Sequence, residues 1–142
     1  MKKIQYIVLL IVLSGLFLVG CSNIQKADVE LKFTDDSNGV QSYIMDVETR
    51  DDVLIPRIVL DKNNGTFSSI YDILSSTFIV GTYKIKNNTL LAETYDKKST
   101  YQFEIIDSKS LKFMQNNSSE LKLTDENIGI SISDGCIFKL QD

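Results

Sequence analysis

Apolar and polar residues alternate with a period of two along most of the chain after residue 28. Two early examples are the series Val29, Leu31, Phe33 and the series Tyr43, Met45, Val47. Such alternation is typical of a β-strand with one buried face. Turn-forming residues interrupt the pattern roughly every ten positions, as in antiparallel sandwiches and barrels. The pattern therefore predicts an all-β fold, a small antiparallel β-barrel or sandwich.

Short turn motifs between the apolar segments predict a series of hairpins. These motifs lie at residues 61–65, 87–88, 96–99 and 107–110. Each contains Asn or Asp, which tolerate the backbone angles of tight turns, and Asn64-Gly65 suits the positive φ angles of a hairpin. Pro56 marks an edge or the start of a strand, because it cannot donate a ladder hydrogen bond. Only residues 68–76 have apolar spacing that would allow a helical turn.

The first 20 residues differ from the rest of the chain. Lys2 and Lys3 precede an apolar run from residue 6 to residue 19, which Ser14 and Gly15 interrupt. A basic start, a short apolar run and a small residue before the cut describe a secretory signal peptide. The run is short for a bilayer span, although an uncleaved membrane anchor is the alternative. Either interpretation places the folded domain outside the cytoplasm.

The end of this leader, Leu18-Val19-Gly20-Cys21, resembles the lipobox of bacterial lipoproteins. The resemblance implies that residues 1–20 are removed and that Cys21 becomes a lipidated first residue, with a diacylglycerol thioether and further acylation such as palmitate. Residues 21–27 would form the lipidated cysteine and a tether, and residues 28–142 a single β domain. We therefore expect a protein anchored in the cell envelope, on the extracytoplasmic face of the cell membrane. Two or three acyl chains would anchor it stably.

Composition restricts the partners and the covalent chemistry. Cleavage would remove two of the 15 basic residues and none of the 19 acidic ones, so the remaining 122 residues would carry a net charge of −6. This charge, without a basic stripe, argues against nucleic acid as a partner. With Cys21 acylated, Cys136 is the remaining thiol, so the core must be held by burial without an internal disulfide. We expect Cys136 to be buried and inert.

No motif in the sequence predicts catalysis or a metal site. The chain has no His and two Cys, which leaves no ordinary zinc ligand set. The segments 35–39 and 61–65 resemble calcium loops, but Gly falls one position early and the closing Glu is missing, so hairpin turns are favoured. A Ser-Lys pair stays open as a remote alternative. We expect no enzyme activity and no cofactor.

Several motifs between Pro56 and Leu140 resemble a lipocalin-like β-meander. It occurs in small bacterial lipoproteins and in extracellular modules of membrane metallopeptidases of the β-lactam-sensor type. The motifs include Pro56-Arg57-Ile58-Val59-Leu60, Asn64-Gly65-Thr66-Phe67, Gly81-Thr82-Tyr83-Lys84-Ile85, Tyr101-Gln102-Phe103-Glu104-Ile105 and Asp134-Gly135-Cys136-Ile137-Phe138. The resemblance implies a fold and transfers no catalytic motif. Residues 29–52 have no counterpart in it, so they either complete the barrel or form an addition.

An unusually apolar connection at residues 71–80 is the predicted binding loop. Its candidate contact residues are Tyr71, Ile73, Leu74, Phe78 and Ile79. The alternative is a segment that plugs the end of the barrel. The function expected from these features is binding to an envelope protein or component, and the alternative is a lipocalin-like carrier of a small apolar ligand. A third hypothesis assigns the leader octapeptide, residues 13–20, to a released peptide signal.

Overall fold

The protein forms a closed antiparallel barrel of eight strands that follow one another in chain order. The computed structural model describes residues 31, 38–48, 54–72, 74–75 and 78–141. The strands are β1 (Val40–Met45), β2 (Arg57–Asp61), β3 (Thr66–Ile70), β4 (Ile79–Lys86), β5 (Thr89–Thr94), β6 (Thr100–Asp107), β7 (Ser110–Phe113) and β8 (Ile137–Leu140). A single turn of 3₁₀ helix, Gln115–Asn117, follows β7. The prediction of an all-β fold is confirmed, and of the two predicted architectures the structure has the barrel and not the sandwich.

The predicted hairpins are present, with the turn chemistry that the sequence indicated. Asp61 accepts hydrogen bonds from the backbone N–H groups of Asn63 and Asn64, at 2.9 and 3.3 Å, and so fixes the β2–β3 turn. Asn87 and Asn88 have φ angles of 51° and 57°, as the β4–β5 turn requires. The hairpins β5–β6 and β6–β7 are also formed by antiparallel pairing of neighbouring strands. Period-two patterning and local turn residues therefore account for the central strands.

Strand β1 closes the barrel, because it pairs with both β2 and β8. Tyr43 lies opposite Ile58 on one side and opposite Leu140 on the other. The question about residues 29–52 is thus answered for residues 40–45, which complete the barrel. Leu31 is also buried in the core, whereas the predicted strand positions Val29 and Phe33 lie outside the described residues.

Part of the connection after β3 departs from expectation. The helical turn allowed for residues 68–76 is wrong at residues 68–70, which belong to β3 and pair with β2, and residues 68–69 pair with β4 as well. Ladder hydrogen bonds on both sides outweigh a weak local helical preference. Pro56 directly precedes β2, as predicted, and its carbonyl accepts a bond from the Met45 N–H at 2.9 Å.

Side chains fill the interior of the barrel. The largest fully buried ones include Tyr43, Phe113, Phe138 and Leu60. The Phe103 ring packs edge-on against Phe138 at a centroid distance of 5.6 Å. The interior cavity found among the described residues measures about 10 Å³, which is roughly the space of one water molecule. Among the described residues, the barrel interior is therefore closely packed around this small cavity.

The two ends of the barrel differ in their connections. Residues 62–65, 87–88 and 108–109 are tight turns at the end where β1 begins, which we call the turn end. The other end, the loop end, carries residues 46–48, 54–56, 71–72, 74–75, 78, 95–99 and 114–136 of the described chain. In the part of the chain that the structure describes, no helix combines the length and apolar character needed to cross a bilayer. The long connections make the loop end the place to look for a site.

Candidate functional site

A groove of about 480 Å³ opens at the loop end, and we call it the aromatic groove. Its rings and aliphatic side chains belong to Tyr71, Phe78, Ile79, Val80, Tyr95 and Tyr101. Polar side chains complete its rim, namely Ser75, Thr94, Asp96, Ser99 and Glu120. Three strands, two connections and one turn therefore contribute to a single concave surface.

The folding of neighbouring elements brings these residues together. Tyr71 follows β3, and Phe78 directly precedes β4. The turn between β5 and β6 places Tyr95 beside them, because its N–H donates to the Val80 carbonyl at 3.2 Å. Phe78 and Tyr95 remain 64% and 61% exposed, and Val80 remains 41% exposed. Large exposed apolar side chains that adjoin one another mark candidate interaction surfaces.

The first residues of the connection after β7 position Glu120 at the groove. The Ser119 N–H donates to the Thr100 carbonyl at 2.7 Å, and the Thr100 N–H donates to the Ser119 hydroxyl at 3.0 Å. The Ser118 hydroxyl accepts from the Gln102 N–H at 2.8 Å. These bonds extend the hydrogen-bonding edge of β6 along residues 118–119. Glu120 thus reaches the rim next to Tyr101.

The turn that carries Tyr95 also orients the carboxylate of Asp96. Its Oδ1 accepts from the Thr94 hydroxyl at 2.7 Å and from the Lys98 N–H at 3.1 Å. The hydrogen bond from the Thr94 side chain lowers the pKa of Asp96 below its usual value, with the Lys98 backbone bond contributing next. Asp96 is therefore a fixed negative charge at neutral pH.

Burial is the main cause of the raised pKa values of two tyrosine hydroxyl groups in the groove. Desolvation raises the pKa of Tyr101, a hydrogen bond with Ser99 opposes this rise, and the nearby charge of Asp96 adds to it. Desolvation likewise raises the pKa of Tyr71, with smaller contributions from Tyr101 and Asp72. Both hydroxyls are consequently neutral at physiological pH. The negative charge of the groove comes from Asp96 and Glu120 alone among the described residues that line it, and none of those residues is Lys or Arg.

A buried carboxylate joins two of the loop-end connections. Asp72 is 6% exposed, and its Oδ2 accepts from the Thr124 N–H at 2.7 Å and from the Thr124 hydroxyl at 2.6 Å. Its Oδ1 accepts from the Leu74 N–H at 2.9 Å. The Thr124 hydroxyl bond, followed by the Thr124 backbone bond, lowers the pKa of Asp72. We call this contact the Asp72–Thr124 latch, since it fixes Asp72 against the long connection after β7.

The structure brings together three of the five residues predicted as a binding loop. Tyr71, Phe78 and Ile79 line the aromatic groove, while Leu74 is 52% exposed and does not line it. Ile73 and the lipidation candidate Cys21 lie outside the described residues. That this loop binds a ligand stays a prediction.

Sequence reasoning missed the residues that come from other parts of the chain. Tyr95, Asp96 and Glu120 are distant from residue 78 in sequence. The β4–β5 pairing brings Tyr95 and Asp96 to it, and the hydrogen bonds between Ser119 and Thr100 bring Glu120. The sequence did contain one signal for the groove. Tyr95 is an aromatic residue at the start of a turn, where its ring is not needed in the core and can contact a partner. Cys136 is half-buried rather than buried, and its sulfur accepts from the Ser133 N–H at 3.4 Å.

Comparisons of the chain with protein-family models, curated proteins and solved structures found no match. The closed barrel of eight antiparallel strands is consistent with a lipocalin-like fold. Function must therefore be argued from the site itself.

Proposed function

We propose that the protein is a lipid-anchored, extracytoplasmic binding module that recognises another protein of the cell envelope through the aromatic groove. The observation that carries the proposal is the contrast between a closely packed barrel interior and an open, partly apolar groove at the loop end. The interior cavity that the described residues enclose is too small for an apolar ligand, so we assign binding to the outer surface. The lipid anchor on Cys21 and the extracytoplasmic location come from the lipobox resemblance.

The exposed rings supply a driving force for association. Phe78 and Tyr95 are each more than half exposed to solvent. Covering about 100 Å² on each ring would contribute roughly 2–3 kcal/mol per ring before the costs of association. Aromatic side chains of this kind dominate binding energy at protein interfaces. The neutral tyrosine hydroxyl groups add hydrogen-bonding capacity.

The start of β1 and the aromatic groove lie at opposite ends of the barrel. The chain enters β1 at the turn end, where the Asn63 side chain donates to the Asn38 carbonyl at 2.7 Å. The groove lies at the opposite end of the barrel.

The second candidate function is a carrier of a small apolar molecule, which the closed eight-stranded meander favours. A ligand would have to replace side chains that now fill the interior. Leu121 and Ile132, from the long connection after β7, line the small cavity and would have to move outward. The closely packed interior therefore supports the binding module over the carrier.

Site-specific photo-crosslinking in intact host cells tests the proposal. A photoreactive phenylalanine analogue replaces Tyr95 in the groove, and the same analogue at Lys84, on the exposed outer face of β4, is the matched control. We expect a discrete crosslinked protein from position 95 that is absent from position 84. Equal crosslinking at both positions, or none at position 95, would contradict the proposal. Mass spectrometry of the native protein that reveals a stoichiometric apolar ligand would favour the carrier.

A further inference from the structure

The aromatic groove combines two chemical features that point to one class of ligand. Four aromatic rings line it, from Tyr71, Phe78, Tyr95 and Tyr101, together with the carboxylates of Asp96 and Glu120. The face of an aromatic ring carries negative electrostatic potential and attracts cations. Rings and carboxylates therefore act in the same direction, and both favour an organic cation with an apolar stem.

We propose that the aromatic groove receives an arginine or lysine side chain from an extended segment of the protein partner. This inference rests on the proposed function and names the chemistry by which that partner is recognised. The methylene stem of such a side chain packs against the rings, while its charged end lies near Asp96 and Glu120. Arg and Lys are the protein side chains that offer a long apolar stem and a permanent positive charge together.

The two lysines that pair with these carboxylates do not place their own side chains in the aromatic groove. Lys98 approaches Asp96 at 3.8 Å and Lys122 approaches Glu120 at 3.2 Å, and all four side chains are more than half exposed. Neither lysine lines the groove. Exposed ion pairs of this kind contribute little to stability, so an incoming cation can replace them at low cost. The carboxylates are thus available to a partner.

Charge also distinguishes a basic partner from a membrane surface. The rim carboxylates repel the anionic headgroups of an envelope membrane, and the chain carries four more acidic than basic residues. Attraction between opposite charges steers a basic segment toward the groove and fixes its orientation. A neutral apolar segment would gain contact with the rings but would leave the carboxylates without a partner.

Two peptides that differ only in charge test the inference on the lipidated chain, purified from its host in a nonionic detergent. One fluorescent heptapeptide carries a central arginine, and the other carries citrulline, which has nearly the same shape and no charge. Fluorescence polarisation measures both affinities in the same micelles, so competition from detergent affects the two equally. We expect the arginine peptide to bind about tenfold tighter or more. Equal affinities would overturn the inference.

Variants of the rim and of a distant carboxylate complete the test. The double variant Asp96→Asn and Glu120→Gln keeps the shape of the groove, and it should reduce the preference for arginine to about twofold or less. Glu104→Gln removes a partly exposed carboxylate that pairs with Lys112 outside the groove, and it should leave the preference unchanged. Tyr95→Leu should weaken the arginine peptide more than the citrulline peptide. A preference that survives the double variant would contradict the assignment.

The two proposals fail in different ways. If position 95 crosslinks a partner in cells but the two peptides bind with equal affinity, the protein is a binding module whose groove does not discriminate by charge. If position 95 yields no specific product and neither peptide binds, both proposals are wrong.

Discussion

Gly81 shows how one residue determines the approach of two strands. A Cβ atom at this position would lie 1.9 Å from the Glu93 carbonyl oxygen and 2.8 Å from a carbon of the Phe67 ring. The first of these atoms belongs to the backbone of β5, so it cannot move aside without disturbing the β4–β5 ladder. Gly81 is therefore required for close packing near the base of the aromatic groove.

The variant Gly81→Ala is expected to lower the free energy of unfolding by about 3 kcal/mol, because the added methyl group forces neighbouring strands apart. Urea unfolding measures the effect. Gly65→Asn is the matched control, since its φ of +63° suits Asn and no atom lies within 4 Å of the added Cβ. It should change the free energy by less than about 0.5–1 kcal/mol. A loss at Gly81 no larger than that at Gly65 would contradict the packing argument.

Tyr43 links burial to alkaline stability. Its hydroxyl donates to the buried Gln41 side chain at 3.0 Å. Desolvation, aided by Tyr83 and Asp107, raises the pKa of Tyr43 from 10.0 to about 12. The unfolded chain therefore loses this proton at lower pH than the folded protein does. The corresponding stability is complete below pH 10 and is lost as the pH rises toward 12.

We expect the free energy of unfolding to fall between pH 10 and 12, with Tyr43 contributing a slope of up to about 1.4 kcal/mol per pH unit. Tyr43→Phe should flatten this decline, although Tyr71, Tyr83 and Tyr101, whose pKa values are also raised by burial, keep part of it. Denaturant titrations at several pH values measure the slopes. Tyr95→Phe, at an exposed position, is the control, and equal flattening in both variants would contradict the assignment.

Among the secondary structure elements, hairpins could be predicted and long connections could not. Two adjacent Asn residues are enough to predict the turn at residues 87–88. The alternation of Tyr101, Phe103 and Ile105 likewise predicts the buried face of β6. The closure of β1 onto β8 depends on residues nearly a hundred positions apart, which no local pattern encodes. The same holds for the aromatic groove. Its apolar connection was visible in the sequence, whereas the contributions of Tyr95 and Glu120 required the strand order.

The Asp72–Thr124 latch is the clearest contact of this non-local kind. Its partners lie 52 residues apart, and both Asp72 oxygens accept hydrogen bonds from connections at the loop end. The pKa of Asp72 is lowered, so the latch is complete above the usual carboxyl value of 3.8 and is lost as the pH falls through the lower folded value.

Asp72→Asn is expected to loosen the latch, because an amide N–H₂ group would face donors instead of accepting from them. Amide exchange at Thr124 and Leu74 should become roughly tenfold faster or more, whereas exchange in β6 should not change. In the unsubstituted protein, the Thr124 amide shift should titrate with a midpoint below 3.8. Unchanged exchange in the variant, or a midpoint at or above that value, would show that the latch does not hold the loop end together.

At the scale of the whole molecule, the proposed function depends on anchoring in the membrane, and Cys21 is the residue that we propose carries the lipid. Radiolabelled palmitate fed to the host should label the protein and follow it into the membrane fraction, since each buried methylene contributes about 0.8 kcal/mol to anchoring. Cys21→Ala should abolish the label, while Cys136→Ala, at the half-buried thiol of the barrel, should retain it. Intact mass distinguishes the alternatives. A labelled chain that begins at Cys21 supports the lipoprotein, whereas an unlabelled chain of all 142 residues in the membrane fraction would establish an uncleaved anchor instead.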